Sequence, residues 1–127
     1  AGNSLGWYTA LPASGALDPI EGSRLVATMA ALQKQLSGGQ VLTTLVGDDW
    51  LPNPALRVAV DATVQALQDR GEAYYCAPSI RLGGHVVLAG TELAVSELLT
   101  RLPKVKVGER EFPFRLAGHG PFHTRLC

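Results

Sequence analysis

Ala73-Tyr74-Tyr75-Cys76-Ala77-Pro78-Ser79-Ile80-Arg81-Leu82-Gly83-Gly84-His85-Val86-Val87-Leu88-Ala89 reads as two strands joined by a two-residue turn. Gly83-Gly84 accepts the positive φ angles that such a hairpin requires. Pro78 has no N–H to give to a ladder, so Ala73–Leu82 is an edge strand or carries a bulge. His85 opens the returning strand, His85–Ala89, and reads as a solvated turn residue.

On either side of this hairpin the period changes. Upstream, Asn53-Pro54 is a cap followed by proline, and Leu56, Val60, Val64 and Leu67 mark one helical face that Gly71 ends. Before that helix, Gln40–Val46 is rich in Val, Leu and Thr and reads as a strand. Downstream, Thr91 caps a helix carrying Leu93, Leu98, Leu99 and Leu102, stopped by Pro103. Val105 and Val107, then Phe112, Phe114 and Leu116, recur at period two and give a last strand or hairpin around Gly108. The order is strand, helix, strand, strand, helix, strand. That predicts an α+β fold with a ferredoxin-like βαββαβ subdomain: an antiparallel sheet with two helices on one face.

The segment ahead of the sheet has no strand of its own. Asp18-Pro19-Ile20-Glu21 is a capping box, and Leu25, Met29, Leu32 and Leu36 follow at helical spacing up to Gly38-Gly39. A shorter helix through Trp7, Tyr8, Ala10 and Leu11 is expected to kink or end early at Pro12. It follows Gly2-Asn3-Ser4-Leu5-Gly6, a Gly-x-Ser-x-Gly pattern. Such a pattern puts a serine on a sharp turn, with the next N–H, from Leu5, aimed at a reacting carbonyl. The same residues also read as a plain N-cap, with Ser4 as the capping side chain. The expected organisation is 1–39 for this helical part, 40–117 for the ferredoxin-like subdomain and 118–127 for a return loop.

With 127 residues the chain is expected to form about one compact domain. Its formal net charge is zero, with no basic stripe for nucleic acid and no apolar run long enough for a membrane. The two cysteines, Cys76 and Cys127, read as unpaired thiols, and no zinc-type spacing appears. A cytoplasmic protein with no permanently bound cofactor and no metal is the expectation.

A serine nucleophile needs a base. His119 and His123 lie in the loop Gly118-His119-Gly120-Pro121-Phe122-His123, where glycines allow close approach to a ligand. Gly2-Asn3-Ser4-Leu5-Gly6-Trp7-Tyr8-Thr9-Ala10-Leu11, with Gly15-Ala16-Leu17, resembles the nucleophile segment of the malonyl-CoA:acyl-carrier-protein transacylase family (Gly-His-Ser-Leu-Gly-Glu-Tyr-Thr-Ala-Leu, then Gly-Ala-Leu). Pro121-Phe122-His123-Thr124-Arg125-Leu126 resembles the family's Pro-Phe-His-Ser-Pro-Leu segment. The family also has a ferredoxin-like subdomain between the two. The resemblance covers essentially the whole chain.

The resemblance implies Ser4 as nucleophile, His123 as its base and the Leu5 N–H as one oxyanion donor. It implies an acyl-CoA, malonyl-CoA in the family, as donor and the phosphopantetheine thiol of acyl carrier protein as acceptor. Asn3, Trp7, Met29, His119 and Phe122 are expected at the substrate pocket. Asn3 stands where the family has histidine, and Trp7 where it has glutamate. Met29 stands where a Leu-Val-x-x-Arg-Gly pattern places the arginine that pairs with the malonyl carboxylate. A thioether cannot replace that bidentate pair, which leaves the acyl group open. In the family a larger α/β hydrolase-like core and a Gly-Gln-Gly oxyanion segment precede the elbow. An internal piece of such an enzyme, with little activity alone, is therefore expected. Two other readings use the same residues: a serine hydrolase or thioesterase-like enzyme with water as acceptor, and an inactive binding module.

Overall fold

The computed structural model describes Ser4 and residues 6–127. Asn3 and Leu5, assigned above to the pocket and the oxyanion hole, lie outside the described residues. The chain divides into two compact units, Ala1–Gln35 and Leu36–Cys127.

In the first unit, α1 (Gly6–Ala13) stops one residue after Pro12, and α2 spans Pro19–Gln33. The Asp18 carboxylate accepts from the Ile20 and Glu21 N–H groups at 2.8 and 2.9 Å, completing the capping box. The helix ends before Leu36, three residues short of the stripe read from the sequence. Gly22 is the buried residue of this helix, because Pro12 of α1 lies across it. A Cβ built there would meet the Pro12 ring at 2.6 Å, so the crossing requires glycine.

The second unit is a four-stranded antiparallel sheet with two helices. Its elements are β1 (Gly39–Thr44), α3 (Pro54–Gln68), β2 (Cys76–Leu82), β3 (His85–Gly90), α4 (Glu92–Arg101), β4 (Val105–Val107), β5 (Arg110–Phe112) and β6 (Phe114–Arg115). Strand order is β2-β3-β1-β6, and each neighbouring pair is antiparallel. β2 lies at the edge and its register shifts between Pro78 and Ile80, so the proline sits at both kinds of tolerated site. Glu72–Tyr74 forms a 3-10 turn, so the strand begins at Cys76, three residues later than its composition suggests.

The closing stretch is split rather than continuous. β5 pairs with β4 in a separate ribbon, and beyond Pro113, which has no N–H to give, β6 pairs with β1. One face of the sheet carries Val41, Val86, Leu88 and Cys76 against Val60, Val64, Leu67, Val95 and Leu98 of α3 and α4. Burying each such leucine contributes about 1.5–3 kcal/mol, which makes this the stable part of the chain. Arg115 of β6 grips Glu92 of α4 through two bonds of 2.9 and 2.7 Å. The opposite face presents Gln40, Leu42, Val87 and Ala89, and through Gln40 it anchors the loop that carries His119 and Phe122.

Candidate active site

Ser4 has φ 52°, a left-handed backbone that a residue with a side chain seldom adopts. Its carbonyl accepts the Trp7 N–H at 3.0 Å, so the chain turns sharply into α1. Outliers of this kind cost about 1–3 kcal/mol and cluster at active sites, ligand clamps and switch regions. Trp7 is 68% exposed and Met29 is half-buried. Ser4, Trp7 and Met29 all belong to the first unit.

His119, Phe122 and His123 belong to the second. His123 is exposed and also left-handed, with φ 58°. The loop around it is fixed from inside. Pro121 is fully buried and packs on Gly38, where a Cβ would lie 2.3 Å from the Gly90 carbonyl oxygen and 3.2 Å from the Pro121 ring. The Phe122 carbonyl accepts from the Ser79 hydroxyl at 2.8 Å and from the Gln40 amide at 3.3 Å. Gln40 Nε2 also donates to Ser79 Oγ at 3.0 Å, and Gln40 Oε1 lies 3.0 Å from His119 Nδ1. After the histidine, Thr124 Oγ1 donates to the Pro121 carbonyl at 2.7 Å. Arg125 pairs with Glu72 and lies 4.1 Å over the Tyr75 ring. His123 therefore sits on a loop tied to β1, β2 and the turn before β2.

Two residues that hold this loop were invisible as candidates in the sequence. Gln40 and Ser79 read as ordinary strand residues. The signal for Gln40 is that a polar side chain at a strand position only 2% exposed must have partners. His85 corrects an expectation: it is not a solvated turn residue. Its ring stacks on Phe112 with centroids 5.0 Å apart and meets Trp50 edge-on at 5.8 Å. Its Nδ1 is buried without a partner among the described residues. These rings line a cavity of about 490 Å³ with Leu42, Val107 and Arg110. It forms because the β4–β5 ribbon lies over that end of the sheet.

Both cysteines are unpaired. Cys76 is sealed in the core, and burial pushes its thiol up to about 11, which removes it as a nucleophile near neutrality. Cys127 is exposed. Among the described residues no helix is long and apolar enough to cross a membrane.

A solved structure, that of MCAT from Streptococcus pneumoniae, superposes on this chain with a TM-score of 0.66 and 28% identity, over 98% of the chain. The chain is similar to malonyl-CoA:acyl-carrier-protein transacylase. This is the family that the Gly2–Leu11 and Pro121–Leu126 segments resemble. The chain spans 38% of the length of that transacylase. No protein-family model matches the chain, and no curated protein sequence does.

Proposed function

We propose that these residues carry the nucleophile and the base of a cytoplasmic acyltransferase of fatty-acid or polyketide synthesis. The observation that carries the reading is the left-handed Ser4 at the mouth of α1, the backbone state that a nucleophile elbow needs. The likeness to the transacylase over 98% of the chain supports it. So does the strand order β2-β3-β1-β6 with α3 and α4 on one core, which we read as the ferredoxin-like arrangement.

In this mechanism Ser4 Oγ attacks the thioester carbonyl of an acyl-CoA while His123 takes the serine proton. The Leu5 N–H stabilises the oxyanion. Collapse of the tetrahedral intermediate breaks the C–S bond, and His123 returns the proton to the departing CoA thiolate. The phosphopantetheine thiol of acyl carrier protein then attacks the Ser4 ester, with His123 again moving the proton, and leaves as the acyl thioester. Acyl-CoA is a substrate here, and the scheme requires no resident cofactor. Trp7, Met29, His119 and Phe122, with Asn3, line the acyl pocket in this reading. Met29 offers no charge to a malonyl carboxylate, so selection of malonyl-CoA depends on another cation.

Acceptor dependence tests the reading. The longest natural chain containing residues 1–127 is incubated with radiolabelled malonyl- or acetyl-CoA, with and without holo acyl carrier protein. The expected outcome is label on the carrier only when Ser4 is intact. Rapid CoA release without any acceptor thiol points instead to a hydrolase, and absence of both reactions rejects acyl chemistry at Ser4.

A further inference from the structure

The tail around His123 meets the sheet through one buried carboxamide, and the chemistry of its partners fixes how that group is oriented. The Phe122 carbonyl oxygen can only accept, so the Gln40 atom facing it at 3.3 Å is the NH2 group. Ser79 gives its hydroxyl proton to the same carbonyl at 2.8 Å and therefore accepts from Gln40 Nε2 at 3.0 Å. Gln40 Oε1 is then the atom facing His119 Nδ1 at 3.0 Å, and an oxygen acceptor there requires the proton on Nδ1. Each member of the chain has a partner of the right kind, and Gln40 is 2% exposed.

We infer that Gln40 is a positioning residue: it anchors the carbonyl immediately before His123 and holds His119 in the Nδ1–H form. The inference rests on reading His123 as the base. Gln40 acts through the Phe122 peptide, whose carbonyl accepts from it and whose nitrogen-side neighbour Pro121 is already buried on Gly38. In the neutral His119 ring the arrangement leaves Nε2 with its lone pair. Two histidines four positions apart thus differ in origin: one has its tautomer set by Gln40, and the other has its backbone set there.

The test compares wild type with Gln40→Met, which keeps the volume and removes the bonds to Phe122, Ser79 and His119, and with Ser79→Ala, which leaves the Gln40 bonds to Phe122 and His119 in place. Amide exchange across residues 119–126 and the ring ¹⁵N shifts of His119 are recorded in each. Loss of a buried bond predicts faster tail exchange by about tenfold or more in Gln40→Met, with a smaller change in Ser79→Ala. His119 shows the Nδ1–H pattern in wild type and a mixture of tautomers in Gln40→Met. Acyl transfer loses kcat with KM little changed. Gln40→Glu regains tail protection when its carboxyl is protonated, because a neutral carboxyl again offers a donor to Phe122 and an acceptor to His119. Unchanged tail exchange in a folded Gln40→Met protein overturns the inference, as does an Nε2–H pattern for His119 in the wild type. If wild type forms no acyl adduct, the reading of His123 fails, while exchange and tautomer still decide the role of Gln40. If Gln40→Met does not fold, Ser79→Ala and the wild-type tautomer decide it.

Discussion

In Leu36–Cys127 the residues Val41, Leu67, Leu88, Val95 and Leu98 are closed off from solvent. In the described part of Ala1–Gln35, α2 buries Gly22 alone, and Trp7, Ile20 and Leu32 stay largely exposed. Both units carry apolar residues at helical spacing. The difference is a sheet: α3 and α4 lie on β1, β2 and β3, whereas α1 and α2 have no strand among the described residues of their own unit. Periodicity therefore identifies an apolar face without saying what covers it. The candidate nucleophile lies on the unit with little core, and the candidate base on a loop anchored to the unit with a full one.

Truncation sharpens that contrast most. Leu88→Ala is expected to cost about 2–5 kcal/mol through lost burial and a residual cavity. Leu32→Ala, at a site 51% exposed, stays within about 0.5 kcal/mol. Urea titrations of the two variants check this, and equal losses break the comparison. Thiol labelling comes next. With the Cys76 thiol raised from 9.0 to about 11, its thiolate fraction near neutrality falls by about 100-fold, so a disulfide reagent modifies Cys127 first and Cys76 only after unfolding. Because the folded value lies above the unfolded one, the contribution of Cys76 is complete below pH 9 and is lost as pH rises toward 11.

Gly22→Leu drives a side chain into Pro12 and is expected to loosen α1 and α2 by about 1–3 kcal/mol. Amide exchange should report this in residues 6–33 and leave the second unit protected. The smallest effect is electrostatic. The hydrogen bond from Arg115 holds the Glu92 carboxyl below its ordinary value. The ionised pair therefore stabilises the fold above the carboxylate range and is lost as pH falls through it. Both groups are well exposed, so salt screens the pair and Glu92→Gln gives a change that shrinks further at high ionic strength. Thermal melts at two salt concentrations follow it.

Much of the second unit was legible because its signals are local. Asn53 and Thr91 cap as expected, Gly83-Gly84 turns the hairpin, and Pro78 coincides with the edge and the register shift. The partition of residues 105–115 between two sheets was not legible, since alternation specifies strand but not partner. Of the candidate site, the left-handed Ser4 agrees with its Gly-x-Ser-x-Gly context. The Gln40–Ser79–Phe122 network was hidden, because it joins residues 39 and 43 positions apart whose types are common in any strand or loop. His85 misled for the same reason: its hairpin position is local, while the Phe112 ring that covers it arrives from β5.

In the proposed chemistry Ser4 accepts an acyl group with His123 as its base. Peptide mass spectrometry after brief exposure to malonyl-CoA and other acyl-CoAs tests it most directly, on the longest natural chain containing residues 1–127. One acyl group is expected on the peptide bearing Ser4, with no adduct in Ser4→Ala and formation slowed by about 10²–10⁴-fold in His123→Ala. An adduct that survives Ser4→Ala, or none with any acyl-CoA in a folded wild-type protein, contradicts it.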